Sequence, residues 1–373
     1  MVKPMKSFWD DLERPFFVLA PLANVTDAAF RRIIAKYSKP HGPGVFWTEF
    51  VSADGLLRAT PEGKAKLMRD LVFTDAERPI VAQFFTSDPE AMEHAAHLAA
   101  ELGFDGVDIN MGCPDRSVEA QGAGAKLILN PERAVELVAA AKRGTLRYAQ
   151  KAGTQPIPVS VKTRLGYNKD ILESWLPKIL ASEPAALTLH ARTRKEMSKV
   201  AAHWDRVKRA VEIRDALGLR LPIIGNGDAV DMADARKKAL ESGADGVMLG
   251  RAIFGKPWLF AAAGEEKLQQ IVWPSSSTGE AKKEMSEGDP RTFAEAFPLE
   301  AAKLHVAVEH TKLFEELLGD IKSFAIMKKH FKAYVEGFPG AKELRMQLME
   351  CTNAQQVSEL IEDFLAKPYT RGI

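Results

Sequence analysis

Short apolar runs rich in β-forming residues recur eight times, and this repeat limits the possible folds more than any other feature of the chain. The runs are Phe17–Ala20, Val45–Val51, Pro79–Phe85, Gly106–Met111, Pro158–Lys162, Ala186–His190, Leu221–Gly225 and Gly246–Leu249. Most are followed by a helix-like stretch. Asp88-Pro89 and Asn130-Pro131 open two of these, with proline at the first helical position, and Gly103 and Gly243 close two. Near-continuous apolar strands alternating with helices imply a parallel sheet. Eight such units in about 250 residues imply a (β/α)8 TIM barrel. The alternative, an open doubly wound sheet, calls for a GxGxxG turn after the first strand, and Ala20-Pro21-Leu22-Ala23-Asn24 has none. After Phe260 the pattern changes. A polar stretch, 263–298, reads as a connection or insertion, and from Leu299 only helical spacing remains. The expected organisation is a barrel over 1–262, the connecting segment 263–298, and a small all-helical domain over 299–373.

A chain of 373 residues is long enough for more than one core. No apolar run has the length of a membrane span, and the start lacks the apolar core of a leader peptide. Only two cysteines, Cys113 and Cys351, are present, too few for a disulfide framework and consistent with a reducing cytoplasm. The formal net charge of +1 excludes a protein basic all over but not a local basic patch. No obligate protein partner is evident, so a cytoplasmic monomer is expected.

In such a barrel the active site lies at the C-terminal ends of the strands. Those ends carry Pro21-Leu22-Ala23, Glu49, Gln83, Asn110 with Cys113, Lys162 with Arg164, His190 with Arg192, Asn226-Gly227-Asp228 and Gly250-Arg251. A glycine and a proline flank Cys113, which is how a reactive side chain is presented at a strand mouth. The alternative is a small buried hydrophobe. Cys351, among helical apolar residues, reads as a core thiol. The turns at Asn226–Asp228 and Gly250-Arg251 leave backbone N–H groups free at loops seven and eight, where a phosphate commonly sits, and Arg251 adds charge. Lys162 lies midway along the set, where a cation faces a ring that becomes anionic, and His190 is placed to hydrogen-bond the same ring. A ring plus a phosphate suggests FMN. No HExxH or cluster of metal ligands is seen in the sequence, and no metal is expected.

Taken in order, these motifs resemble those of the tRNA-dihydrouridine synthases. The resemblance rests on Pro21-Leu22-Ala23-Asn24-Val25-Thr26-Asp27 with Phe30-Arg31, and on Ala82-Gln83-Phe84-Phe85 with Asp88-Pro89. It rests most of all on Asn110-Met111-Gly112-Cys113-Pro114 followed by Val118 and Gly122-Ala123-Gly124-Ala125-Lys126-Leu127. Val161–Gly166, Leu189–Thr193, the Asn-Gly-Asp turn and Gly250-Arg251 complete it over residues 17–258, and His330, Tyr334, Gly340-Ala341 and Leu344-Arg345 add a weaker match in the tail. Three departures stand out: Asn24 in place of the usual glycine, the bulkier Phe84-Phe85-Thr86 after the glutamine, and the longer 263–298 stretch.

The resemblance implies reduction of the C5–C6 double bond of specific uridines in tRNA, with tightly bound FMN recharged by NADPH (or NADH). It implies Cys113 as the proton donor to C5. Lys162 would stabilise charge on the flavin ring, Gln83 would bond the ring edge, and Pro21-Leu22-Ala23 would lie along it. His190, Asn226, Gly227, Asp228, Gly250 and Arg251 would complete the cofactor site. Asn110 and Arg164 would face the uracil, and Arg192 and Arg194 substrate phosphates. The glycines after Cys113 would let their loop move or lie close to substrate. A basic segment with Lys328, Lys329, Lys332 and Arg345 would contact tRNA phosphates, and His330, Phe331 and Tyr334 would stack on bases. Two rivals remain on the residues alone: an FMN barrel acting on a free pyrimidine, and a flavin-bound RNA-binding protein without catalysis.

Overall fold

The computed structural model describes residues 7–261 and 291–369. Most of the expected 263–298 connection therefore lies outside the described residues. The described chain forms two compact units. Residues up to Asp27 with Gly42–Ala252 make one, and Ala28–His41 with residues from Ile253 onward make the other.

The first unit is a parallel eight-stranded sheet: β1 Phe16–Leu19, β2 Phe46–Ser52, β3 Ile80–Phe85, β4 Gly106–Met111, β5 Val159–Arg164, β6 Leu187–His190, β7 Ile223–Asn226 and β8 Gly246–Leu249. Neighbours in sequence are neighbours in space from β2 through β8, and β8 returns to pair with β1. The Leu19 N–H donates to the Val45 carbonyl at 3.2 Å and the Gly44 N–H to the Phe17 carbonyl at 2.7 Å, which joins β1 to the start of β2 and closes the barrel. The intervening helices start where their caps dictate. Asp88, Asn130 and Asp231 side chains each accept from a first-turn N–H, at Glu90, Arg133 and Asp234.

Strand alternation sorts the barrel interior into two layers. At the N-terminal end, Phe16, Val18, Val45, Trp47, Val81, Ala186, Ile224 and Met248 form an apolar plug with Trp9, which lies in a short 3₁₀ turn, Phe8–Asp10. Two residues further along β3 and β7, the same face carries Gln83 and Asn226. This change from apolar to polar at one level places the site.

The second unit is helical: Ala28–Ser38, Pro298–Leu318, Met327–Tyr334, Ala341–Leu348 and Ala354–Ala366, with a two-stranded antiparallel pairing of Arg291–Thr292 and Pro368–Tyr369. The helix that follows β1 belongs to this unit and not to the barrel's ring. Its Phe30 stacks on His310 at 4.7 Å, and the Tyr37 hydroxyl donates to Glu309 at 2.6 Å. Cys351 is buried here.

The helix Met327–Tyr334 corrects one expectation. Met327, His330, Phe331 and Tyr334 recur at helical spacing and are all buried, so the last three pack the interior of the unit and cannot stack on bases. Lys329 and Lys332 are exposed and Lys328 partly so, while Arg345 donates to the Val335 carbonyl at 3.2 Å.

His310 and His330 are fully buried, with ring centroids 4.5 Å apart. Among the described residues, neither nitrogen of His330 nor Nε2 of His310 has a hydrogen-bond partner. Burial holds His310 well below its ordinary value and His330 down to about 3. Both are depressed relative to the unfolded chain, so below pH ~6.5 the unfolded state binds more protons and stability falls with falling pH. The expected slope is on the order of 1.4 kcal/mol per pH unit for each histidine. Thermal unfolding followed from neutral pH to pH ~5 should show this loss, and a His330→Phe variant should show a shallower one. Equal slopes would mean that His330 does not titrate on unfolding.

Candidate active site

The polar layer is tied together across the strands. Gln83 lies opposite Asp108, Asn110 opposite Lys162, Arg164 opposite His190, and His190 opposite Asn226. The Gln83 side-chain amide donates to Asp108 Oδ2 at 2.7 Å, and Ser160 Oγ donates to Asp108 Oδ1 at 2.6 Å. Asn110 Nδ2 donates to Gln83 Oε1 at 3.0 Å. Lys162 Nζ donates to Asn226 Oδ1 at 3.2 Å, and Asn226 Nδ2 to the Met248 carbonyl at 2.8 Å. These side chains form two hydrogen-bonded sets, Gln83 with Asp108, Ser160 and Asn110, and Lys162 with Asn226, set side by side in a mostly buried floor by the pairing of Asn110 with Lys162.

Cys113 sits just beyond β4 at the edge of this floor and is half-buried. Its own N–H donates to Asn110 Oδ1 at 2.9 Å, as does that of Gly112 at 3.1 Å. Its carbonyl accepts from the Ala125 N–H at 2.9 Å. That return contact explains Gly124. Its φ is +60°, and a Cβ there would lie 2.7 Å from the Cys113 carbonyl oxygen. The glycine thus lets the loop fold back tightly on Cys113. Arg164 Nε donates to the Gly112 carbonyl at 2.6 Å and fixes the other side of the turn.

Electrostatics follow from burial and crowding of like charges. Burial raises the Cys113 thiol. Burial and the Arg164 guanidinium pull the Lys162 ammonium down to about 8, with Asp108 opposing. Burial pushes Asp108 up to about 6 against hydrogen bonds from Ser160 and Gln83. His190 is held well below its ordinary value by burial, then by Arg164, Lys162, Arg192 and Arg251, so it is neutral at pH 7. At neutral pH the layer therefore offers a protonated thiol, an ammonium and an uncharged imidazole.

The β7 turn gathers the remaining groups. Gly227 has φ +133°, and a Cβ on it would meet Ala202 at 2.8 Å. Asp228 also has positive φ. Its carboxylate accepts from Arg192, from Arg251 at 2.7 Å and from the Ala202 N–H at 2.9 Å. Asp228 thus clamps two arginines. Arg192 is 3% exposed and also donates to the Val200 carbonyl, so it is held inside the barrel mouth and not offered to a polymer backbone. Arg194 is bound to Glu119 through two nitrogens and lies over the Tyr167 ring at 5.1 Å, bracing the Cys113 loop against the loops after β5 and β6. At the seam of the barrel, Gly250 lies beside Ala20 and Leu22, which brings the Pro21-Leu22-Ala23 segment next to the Gly250-Arg251 turn.

A family profile described as "Dihydrouridine synthase (Dus)" matches residues 18–368. The chain belongs to the dihydrouridine synthase family. Among its curated relatives is "Probable tRNA-dihydrouridine synthase 2" of Bacillus subtilis, 37% identical over 99% of both chains. "Probable tRNA-dihydrouridine synthase" of Staphylococcus epidermidis is 36% identical over 98% of this chain and 99% of its own. Among solved structures, "Morphinone reductase" is similar at a TM-score of 0.44 and 14% identity, covering 66% of this chain and 84% of its own.

Two of this chain's departures from the family pattern have a structural reading. Asn24 adopts φ +54°, the left-handed region that glycine occupies freely and asparagine tolerates best among other residues, and its N–H donates to Glu49. Phe84 points away from the barrel interior, opposite to Gln83, and is buried, while Phe85 meets the Phe50 ring edge-on at 5.7 Å. Neither phenylalanine displaces a floor residue. Reading strand ends alone overlooked Asp108, Ser160 and Glu119. Asp108 had a signal: it stands two residues before Asn110 in an otherwise apolar run, hence on the same face.

Among the described residues no group of three or more His, Cys, Asp or Glu side chains is arranged to hold a metal ion, and no helix is long and apolar enough to cross a membrane.

Proposed function

We propose that the chain reduces the C5–C6 double bond of uridines in tRNA, with FMN bound at the strand ends, NADPH or NADH as reductant and Cys113 as proton donor. Dihydrouridine is uridine plus two hydrogens, so a dihydrouridine synthase is an oxidoreductase. The observation that carries the reading is the joining of Gln83, Asn110, Cys113 and Lys162 by strand register and hydrogen bonds into one layer at the barrel mouth.

The donor set fits an anionic cofactor. Lys162, Arg164, Arg192 and Arg251 stand at the strand ends against the carboxylates of Glu49, Asp108 and Asp228, while Arg194 and Glu119 pair with each other. This excess of positive charge suits a ring that accepts electrons and a phosphate. A bound flavin supplies the hydride for C6. Lys162 would supply positive charge to the ring, and Gln83, His190 and Pro21-Leu22-Ala23 would hold it. Asn226, the Gly227 and Gly250 backbones and Arg251 would hold the phosphate end, with Asp228 orienting Arg251 through its hydrogen bond. Asn110 and Arg164 orient the uracil, and the Cys113 thiol gives its proton to C5.

A uridine stacked in folded RNA must be extruded to reach this layer, at a cost of a few kcal/mol. The exposed face of the Met327–Tyr334 helix, with Lys328, Lys329 and Lys332, together with Arg345, offers charge for tRNA phosphates that offsets that cost. Replacing the three lysines by alanine should weaken tRNA binding and reduce the slope of log affinity against log salt by ~0.7–0.9 for each phosphate no longer neutralised. A filter-binding salt series checks this, and an unchanged slope would remove the helix from the interface.

The test of the function is a rate comparison. Purified chain with NADPH should form dihydrouridine in tRNA lacking the modification and leave free uracil essentially untouched. Rapid turnover of free uracil with none on tRNA would favour a free-pyrimidine reductase. Tight tRNA binding with no reduction would favour a binding protein.

A further inference from the structure

We infer that Asp108, buried beneath the site, is a positioning residue that sets the orientation of the Gln83 and Asn110 amides and through them holds the backbone of Cys113. The inference rests on the proposed reduction at this site.

Asp108 is fully buried, one level below the reacting groups, and its carboxylate oxygens accept from Ser160 Oγ at 2.6 Å and Gln83 Nε2 at 2.7 Å, with the Trp47 indole also facing it. An ionised carboxylate only accepts. Gln83 must therefore turn its NH2 toward Asp108 and its oxygen toward Asn110. Asn110 must in turn present Nδ2 to Gln83, at 3.0 Å. Its oxygen is left facing the other way, where it accepts from Gly112 and Cys113 N–H at 3.1 and 2.9 Å. Each amide alone is nearly symmetric in shape and has two orientations. The carboxylate at the end of the row removes that freedom for both. A reversed row would set Asn110 Nδ2 against two N–H donors and release the turn that carries Cys113.

The other groups facing Asp108 fit this role. Trp47 comes from β2, Gln83 from β3, and Ser160 and Lys162 from β5. Lys162 is the cation among them, and Asp108 supports its charge. A protonated Asp108 can donate where it must accept, so the row loosens as pH falls through about 6.

The test compares Asp108→Asn and Asp108→Ala in the full chain. Asparagine keeps an oxygen for Gln83 and turns its amide nitrogen to Ser160, so single-turnover dihydrouridine formation by prereduced enzyme should stay within roughly threefold of wild type at neutral pH, as for a change that keeps the bound geometry. Alanine removes the fixed end, and the rate should fall on the order of 10²-fold with tRNA affinity unchanged. Wild type should fall to the level of Asp108→Asn, within the same roughly threefold, as pH drops through about 6. Asp108→Asn should lack that limb and lose its activity at high pH earlier, because Lys162 no longer has the carboxylate. Alkylation of Cys113 by iodoacetamide, with buried Cys351 as internal reference, should be faster in Asp108→Ala. A wild-type rate in Asp108→Ala, or an acid limb retained in Asp108→Asn, overturns the inference. If the alanine variant does not fold, the asparagine pH profile decides. A wild-type chain that forms no dihydrouridine at any pH overturns the function instead, and Cys113 alkylation still decides the positioning: equal rates in wild type and variant overturn it.

Discussion

Cys113→Ala should lower the rate of dihydrouridine formation by roughly 10²–10⁴-fold, the range for losing a positioned general acid, while leaving fold and tRNA binding intact. The fold should survive because the hydrogen bonds that anchor the turn are made by its backbone. Its N–H and carbonyl bond Asn110 and Ala125, and an alanine keeps both. The rate should fall because the neighbouring imidazole does not replace the thiol. His190 is uncharged at neutral pH and lies at the end of β6, and burial with neighbouring cations keeps it so. Burial raises the thiol, so Cys113 stays protonated, as a donor must. The check is a single-turnover assay on unmodified tRNA with binding measured in parallel. A variant with wild-type product rate would remove the proton-donor role.

Lys162→Met should cost about 10²–10³-fold in the same assay, the scale of losing a preorganised charge in a site shielded from water. Methionine keeps the length and apolar character of the stem. What it lacks is the ammonium held by Asn226 at 3.2 Å. The wild-type pH profile should carry the same signature. Lys162 is pulled down to about 8, first by burial and then by Arg164, so its positive charge is present at pH 7 and is lost as pH rises through about 8. Activity should fall over that window in wild type. In Lys162→Met the residual activity should show no limb there. Stopped-flow rates across pH read both outcomes, and an unchanged high-pH limb in the variant would assign it to another group.

Both predictions depend on a barrel that was largely legible in the chain. Buried parallel strands are apolar on both faces, so they stand out as continuous runs, and the eight expected runs coincide with the eight strands within two residues. The misses are instructive. Strand β5 continues to Arg164 and β7 to Asn226, beyond the apolar runs, because the polar residues at the barrel mouth are still in the sheet. Hydropathy marks where a core ends, and here the sheet outlasts the core.

Other features were not legible for reasons of contact. That Asp108 anchors the row of amides depends on which side chains meet across three strands, and period-2 alternation shows only the shared face. The helix Ala28–Ser38 follows a barrel strand, as the repeat demands, yet its aromatic face packs on His310 and Glu309 from the C-terminal helices. A helix pattern gives the apolar face and not its partner. His330, Phe331 and Tyr334 are the residue types of an RNA-stacking platform, and they are equally the interior of a small helical unit. Their spacing with Met327 favours the interior, a signal that was present and outweighed by residue type.

The most direct test of the central claim is nucleoside mapping by mass spectrometry. tRNA free of dihydrouridine is incubated with the full chain and NADPH, digested, and compared with the same tRNA treated with Cys113→Ala. The account predicts that uridines at discrete positions gain two hydrogens with the wild-type chain and that almost none do so with the variant. Recovery of unaltered uridine from tRNA that the wild-type chain binds, or equal conversion by Cys113→Ala, would contradict it.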